Sequence, residues 1–430
     1  MIYTIVSLFV EVGVRQFFQS IKLSGAAVVS RGPVIIAANH PNQAVDSFMI
    51  GTIFKRPVLF LAKSSLFKNP LWGKFFRSLN MIPVYRAQDK SDTSLNAEMF
   101  REVVAKLLVG EAAAIFPEGT SSEERRLLPL KTGVARIALQ AEVADGWLGR
   151  ILIQPVGITY LSPRLFQSSV ALVVGEPFSV ADFRARYEVE PIATVKELTL
   201  EIERRLRLVT VSLPNLELQQ DVERITQLFD DEPDMRERMQ FIANKATEFA
   251  VTLPAETTLV RAEMERLSEA GYELGFFGIG SQTLVSQRIS TTKLCLVLCG
   301  RVLHAAPYYA TQMAIKFAVK DPHNLASVKI GFGLLFYSAW YLVLLLALLN
   351  LGVNGFIAVA ILICVMVLGE KTNQYADGSA IFLRKFLSRV FSSKDSELAY
   401  HQLVDKFMAD RAALKEKLIL ITNTYQNVVH

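Results

Sequence analysis

The chain has 430 residues, a formal net charge of +5 and a mean hydropathy of +0.30, with 51% hydrophobic and 20% charged residues. That hydropathy is high for a fully soluble protein, and the charged content lies below the roughly 25% of ordinary soluble domains. The small basic excess forms no long run, so it gives nucleic-acid binding no support and fits a surface that faces anionic headgroups.

The length allows two or three domains. In chain order, "MIYTIVSLFVEVGVRQFFQSIKLSG" lacks an early basic region, and Glu11 interrupts its apolar run. It reads as an interfacial or core-packed helix over residues 1–24, not as a signal peptide. From about residue 30 to 180, short apolar runs alternate with helical periodicity, the mark of an α/β domain. Predicted strands occupy 33–39, 57–63, 81–86, 112–116, 151–160 and 170–176. Predicted helices occupy 44–55, 94–109 and 130–143, and another near 194–208 closes a domain placed at 25–210. The expected fold class is α/β, a mixed sheet flanked by helices, followed by a helical region and a membrane hairpin.

Residues 211–329 shift to charged helices, with "DDEPD" at 230–234 as a break. "GFFGIG" at 275–280 follows no predicted strand and is not read as a nucleotide loop. Between Lys329 and Glu370 lie 40 residues without a formal charge, divided by "NLGVNG". One bilayer crossing takes about 20 residues, so 330–369 is read as a two-pass hairpin. Lys316, Lys320 and Lys329 precede it, and Lys371, Arg384, Lys385 and Arg389 follow, which puts both flanks on the cytoplasmic face. The second arm is short, so a re-entrant hairpin is the alternative. Residues 370–430 read as an amphipathic helical tail. Trp72, Trp340 and Tyr341 read either as interface anchors or as packing. Cys295, Cys299 and Cys364 have no His or Cys partners at metal-site spacing and read as buried reduced thiols.

The unusual residues gather at strand ends. "PVIIAANH" ends on His40, "MIPVYR" ends on Arg86, and "AAAIF" runs into "PEGT", which holds Glu118, Gly119 and Thr120. Ligands of open α/β sheets sit beyond the carboxyl ends of strands, so these clusters point to one cleft. On a continuous helix His40 and Asp46 would stand about 600° apart and could not meet. They pair only if Pro41 and Asn42 make a turn before the helix begins. Asp46 would then hold one imidazole nitrogen and leave the other as a base near neutral pH. The α/β region has no G-x-S-x-G elbow and no cysteine, so no covalent acyl intermediate is implied.

"NHPNQAVD", "IPVYR", "FPEGTSS" and "QPVGITY" resemble, in order, the four blocks of the glycerolipid acyltransferase superfamily, the PlsC-type phosphate acyltransferases, over about residues 25–205. Five residues, Pro41 to Val45, separate His40 from Asp46, where the family's first block usually has four. That spacing resembles the glycerol-3-phosphate/dihydroxyacetone-phosphate acyltransferase subgroup, which also has an apolar carboxy-terminal hairpin. Ser121 stands where the third block usually carries arginine. The resemblance implies a membrane-bound enzyme that moves a fatty acyl group to a hydroxyl of glycerol 3-phosphate or 1-acylglycerol 3-phosphate. His40 would take the acceptor's proton and Asp46 would orient His40. Glu118, Gly119 and Thr120 would help form the acceptor pocket, Arg86 would bind phosphate, and Pro155 and Val156 would line the acyl site.

No resident cofactor is implied, since acyl-CoA or acyl-carrier protein enters as donor substrate. The expected partners are the bilayer, that donor and a glycerol phosphate acceptor, with the site on the cytoplasmic face. Arg126 is expected to replace the missing arginine, with Lys131 at a helix start as the alternative and Arg125 facing solvent. The competing readings are a catalytically silent lipid-binding protein on the same scaffold and a thioester hydrolase.

Overall fold

The run "PVIIAA" is apolar on both of its faces, the composition of a strand covered from both sides. It forms the middle of the sheet, as β2 (Val34–Ala38), and all five residues are buried. The structure, a computed structural model, describes residues 2–18, 20–86, 92–124, 126–160, 168–210, 291–319 and 324–369, with further positions at 163, 166, 262–263, 266–267, 372, 402, 405–414 and 416–417. Two compact units divide the chain: Met1–Ser212 with Val319–Gly331, and Leu213–Ala318 with Phe332–His430.

The first unit opens with α1 (Ile2–Phe17), β1 (Ser20–Gly25) and β2, followed by α2 (Ala44–Phe54), β3 (Val58–Lys63), α3 (Pro70–Ser78) and β4 (Met81–Val84). Next come α4 (Asn96–Leu108), β5 (Ala112–Ile115), α5 (Gly133–Ala144), β6 (Leu152–Tyr160), β7 (Ser169–Val174), β8 (Phe178–Ser179), α6 (Arg184–Val189) and α7 (Pro191–Val209). The sheet runs β1-β7-β6-β2-β5-β3-β4, with β8 paired to β6 outside that path. The strands from β6 to β4 are mutually parallel, while β7 runs against β6 and carries β1 in parallel beside it. The mixed α/β architecture is therefore as expected. Pro83 sits in β4, an edge strand, where its missing N–H breaks no ladder.

One sheet face packs on α4, α5 and α7, with Ile35, Ala37 and Ala113 meeting Val103, Leu107 and Ile137 in a continuous core. Alternate residues of β2 face the other side, where α1 packs along α2 and α2 along β3. Two expectations for this unit change. The helix read over residues 1–24 ends at Phe17, and Ser20–Gly25 is an edge strand that belongs to the sheet. The short pair β6–β8 was also not anticipated.

In the second unit, α8 (Thr291–Leu303) and α9 (Ala305–Ala318) adjoin at His304. Helix α10 (Leu325–Asn350), which begins in the first unit, is the one described helix long and apolar enough to cross a membrane. A turn leads to α11 (Gly355–Gly369), 15 residues long and about 22 Å at 1.5 Å per residue, less than a full hydrocarbon core. Trp340 Nε1 donates to Leu303 O (3.0 Å), and Tyr341 Oη lies 3.1 Å from His304 Nε2, so both aromatic residues are committed to helix packing. The cysteines are not buried: Cys295, Cys299 and Cys364 are all exposed on their helices. Apolar neighbours in sequence did not mean a core position, because these helices are apolar on several faces. The "DDEPD" and "GFFGIG" segments and most of the tail lie outside the described residues.

Candidate active site

Strand β2 delivers Asn39 and His40 to the carboxyl end of the sheet. Asn39 fixes the strand's exit by bonding both backbone polar groups of one residue, donating to Ile158 O (2.9 Å) and accepting from Ile158 N–H (2.7 Å). The chain then turns through Pro41–Gln43. Gln43 adopts φ +48°, the left-handed region that a non-glycine residue enters only under local constraint. That turn resets the angular position of α2, so Asp46 in its first turn comes back beneath His40. His40 Nδ1 lies 2.8 Å from Asp46 Oδ2, the pairing that a continuous helix would forbid.

Asp46 is fully buried and its oxygens are well occupied. Oδ2 also accepts the Asn42 N–H (2.7 Å), and Oδ1 accepts the Tyr160 hydroxyl (2.8 Å). With Nδ1–H donating to Asp46, His40 keeps a lone pair on Nε2, and its side chain is 19% exposed. The ring lies flat on Phe116, with centroids 4.0 Å apart and 6° between planes. Burial and the Asp46 charge push the Tyr160 phenol well above its ordinary range, so it stays protonated as a donor.

The loop after β5 closes over this turn. Ser121 Oγ donates to His40 O (2.7 Å) and accepts from Gln43 N–H (3.1 Å), while Ser122 N–H donates to the same His40 carbonyl (3.0 Å). Glu118 is buried, and its two oxygens accept the His40 N–H (3.0 Å) and the Leu128 N–H (3.1 Å). Its carboxyl is therefore a clamp between loops as well as a polar group at the site. Burial pushes that carboxyl above its ordinary value, partly offset by the two N–H donors.

The basic residues divide. Arg86, just beyond β4, donates to Gly119 O (3.3 Å). Gly119 has φ +68°, and a Cβ there would lie 2.8 Å from Lys131 Nζ, so Lys131 reaches across this glycine. Arg86, Gly119 and Lys131 thus converge beside the Glu118–His40 clamp, and Thr120 is half-buried next to them. Arg126 is instead 54% exposed and ion-paired with Glu124. Arg125 lies outside the described residues. Pro155 and Val156 lie in β6, where Val156 is fully buried.

Sequence reasoning passed over Asn39, Tyr160 and Ser121 as individual actors. Each stands at a strand end or in a quoted block, so position at the carboxyl edge was the available signal. Chemically, the arrangement supplies a carboxylate-held imidazole with a free lone pair, next to cationic groups suited to an anionic substrate.

Residues 20–159 match the family model described as Acyltransferase. Over 121 residues the chain is 36% identical to glycerol-3-phosphate O-acyltransferase 2 of Saccharomyces cerevisiae, covering 28% of this chain and 16% of that protein. It is 30% identical over 130 residues to the lyso-ornithine lipid O-acyltransferase of Rhizobium meliloti, covering 30% of this chain and 42% of that one. It is 34% identical over 109 residues to the 1-acyl-sn-glycerol-3-phosphate acyltransferase of Cocos nucifera, covering 25% and 34% respectively. The chain thus spans less than half the length of each of these relatives.

Proposed function

With residues 20–159 an acyltransferase-family domain, we propose that the chain transfers a fatty acyl group from a thioester donor, acyl-CoA or acyl-carrier protein, to a hydroxyl of a glycerol phosphate. The observation that carries this reading is the partly exposed His40 held by the buried Asp46, with Nε2 left to face a substrate, beside Arg86 and Lys131. The matched relatives named for glycerol 3-phosphate and 1-acylglycerol 3-phosphate support the acceptor class.

His40 Nε2 removes the acceptor hydroxyl's proton as its oxygen attacks the thioester carbonyl. The tetrahedral adduct expels the thiolate, the C–S bond breaks, and Nε2–H returns the proton to sulfur. Asp46 holds the ring orientation and stabilises the imidazolium that forms between these steps. Arg86 and Lys131 bind the acceptor phosphate, a group that carries nearly two negative charges and needs paired donors in a closed cleft. Lys131 is preferred here to Arg126, the expected partner of Arg86, because Arg126 is 54% exposed and ion-paired with Glu124. Glu118, Gly119 and Thr120 shape the acceptor pocket, and Pro155 and Val156 line the acyl site. Helix α10, with α11 behind it, holds the enzyme in the bilayer, and the basic flanks of 330–369 put the site on the cytoplasmic face.

The test is transfer from radiolabelled acyl-CoA on isolated membranes, with a panel of glycerol 3-phosphate, dihydroxyacetone phosphate and lysophosphatidate. Label should appear as ester, and His40→Ala should remove about 10² to 10⁴ of the rate. Label released only as free acid identifies a hydrolase, and full activity in His40→Ala refutes the assignment. Lys131→Ala should raise the acceptor KM about tenfold, near 1.4 kcal/mol, with the donor KM unchanged, whereas Arg126→Ala should have a smaller effect.

A further inference from the structure

Between Asp46 and Asp89 the chain contains no Asp or Glu but seven Lys and Arg. The middle of that stretch is α3, an amphipathic helix mounted the wrong way round. Surface helices ordinarily turn their apolar stripe to the core. The residue α3 buries is Gly73, which lies so close to the Phe67 backbone that a Cβ would sit 3.1 Å from its carbonyl oxygen. The apolar positions point away: Leu71 is 79% exposed, Trp72 58%, and Phe75 37%. They fall within about 100° of one another around the helix and share one outward face. Leu66, in the short 3-10 turn Ser64–Phe67, extends this face and is also exposed.

The aromatic rings form one cluster, with Trp72 at 5.9 Å from Phe75 and 6.1 Å from Phe76. Basic groups surround it. Arg77 reaches Glu102 at 3.5 Å, but Lys63, Lys68 and Lys74 are exposed and form no ion pair among the described residues. An apolar, tryptophan-bearing face ringed by lysines, with Glu102 beside it already paired to Arg77, is complementary to an anionic leaflet, where indole sits at headgroup level. A protein partner would need its own concentration of acid around a matching apolar pocket.

The placement gives this surface a role. Strand β3 is parallel to β5 and, through it, to β2, so all three end on the same edge of the sheet. The chain leaves β3 at Lys63 and starts α3 at Pro70, so Leu71 and Trp72 lie at the edge that carries His40 and Glu118. We propose that the amino-terminal half of α3, with Leu66, inserts into the interface of an anionic bilayer and presses the mouth of the active site onto the lipid surface. This does not depend on acyl transfer, and the His40→Ala chain should show the same insertion.

The chain has three tryptophans, so Trp147→Phe with Trp340→Phe leaves Trp72 as the single emitter. The full chain is reconstituted into vesicles of zwitterionic lipid, with or without phosphatidylglycerol, and with acyl chains brominated near the glycerol. Brominated lipid should quench Trp72, aqueous acrylamide should not reach it, and both effects should weaken without the anionic lipid. Acrylamide access without bromolipid quenching overturns the proposal, and so does protection from both quenchers, which would mean a protein-covered face. A nitroxide at Leu71→Cys in a chain lacking Cys295, Cys299 and Cys364 gives an independent measurement. Its relaxation should respond to oxygen over an aqueous nickel reagent, while the same label at the exposed Leu200→Cys on α7 should show the reverse. Equal aqueous access at both positions also overturns it.

Discussion

The Tyr160 hydroxyl, 2.8 Å from Asp46 Oδ1, holds a buried carboxylate whose other oxygen must face an imidazole. Tyr160→Phe keeps the ring and removes that donor, leaving one buried oxygen without its partner, a loss of about 1–2 kcal/mol. The kcat should therefore fall about 5- to 30-fold, with the acceptor KM little changed, since Tyr160 acts through Asp46 rather than on substrate. An unaltered kcat and pH–rate profile would show that Asp46 is positioned without it. Glu118 supports a second prediction. Its folded carboxyl titrates above its ordinary 4.5, so its contribution to stability is full below that value and declines as pH rises through the raised one. Glu118→Gln removes the titration, at a constant cost from the altered bond to Leu128 or His40. The melting midpoint of the variant relative to the parent should improve as pH rises above 4.5 through the raised value, and level off beyond it. A difference independent of pH would contradict the burial-driven shift. His40 and Asp46 were legible in the sequence because turn chemistry stands between them, whereas Tyr160 was not, since nothing local says that a strand-end tyrosine 114 residues away points at Asp46.

Elements were legible where one period dominated. Strands β2 and β5 read correctly because they are uniformly apolar and central, and α4 and α7 because their buried residues recur at helical spacing. Strand β1 escaped because "SIKLSG" is short and largely exposed, and its identity comes from pairing with β7 rather than from its own pattern. Close approach between elements was equally invisible. Gly157 in β6 lies against the end of α7, where a Cβ would stand 1.8 Å from Val209 O. Gly157→Ala must push backbone from backbone and should cost about 1–3 kcal/mol, seen as a lower thermal midpoint. At the junction of α5 and β6, the buried Glu142 accepts the N–H groups of Gly149 (2.6 Å) and Ile151 (3.2 Å). Glu142→Ala should destabilise by about 1–3 kcal/mol for each donor left dry, with Glu142→Gln milder. Equal stability of parent and Glu142→Ala would mean water replaces the carboxylate.

At the scale of the whole molecule, the membrane reading rests on a long helix and a shorter one. If α10 and α11 make a hairpin, cysteines placed at Lys320 and Tyr375 in a chain lacking the native thiols should label from the same side of sealed vesicles. Labelling from opposite sides would establish a single crossing. The sequence revealed the uncharged stretch, its break at "NLGVNG" and its short second arm, and the chain turns there at Gly352, with φ +77°. It did not reveal that the first helix starts at Leu325, ahead of Lys329, because a single lysine leaves no mark on an otherwise apolar helix. The pairing of β1 with β7 has a consequence in time. Ser20 aligns with Ser169, so a growing chain emits its first strand 149 residues before the partner exists. At about 5–20 residues per second, that strand waits roughly 7 to 30 seconds while the parallel strands beside β2 assemble. During that wait α1 is already outside the ribosome, with Ile5, Leu8 and Phe9 exposed. The greasy face of α1 is thus on offer before Tyr160, which completes the hold on Asp46, has been made, and contact with a lipid surface can begin before the candidate site is finished.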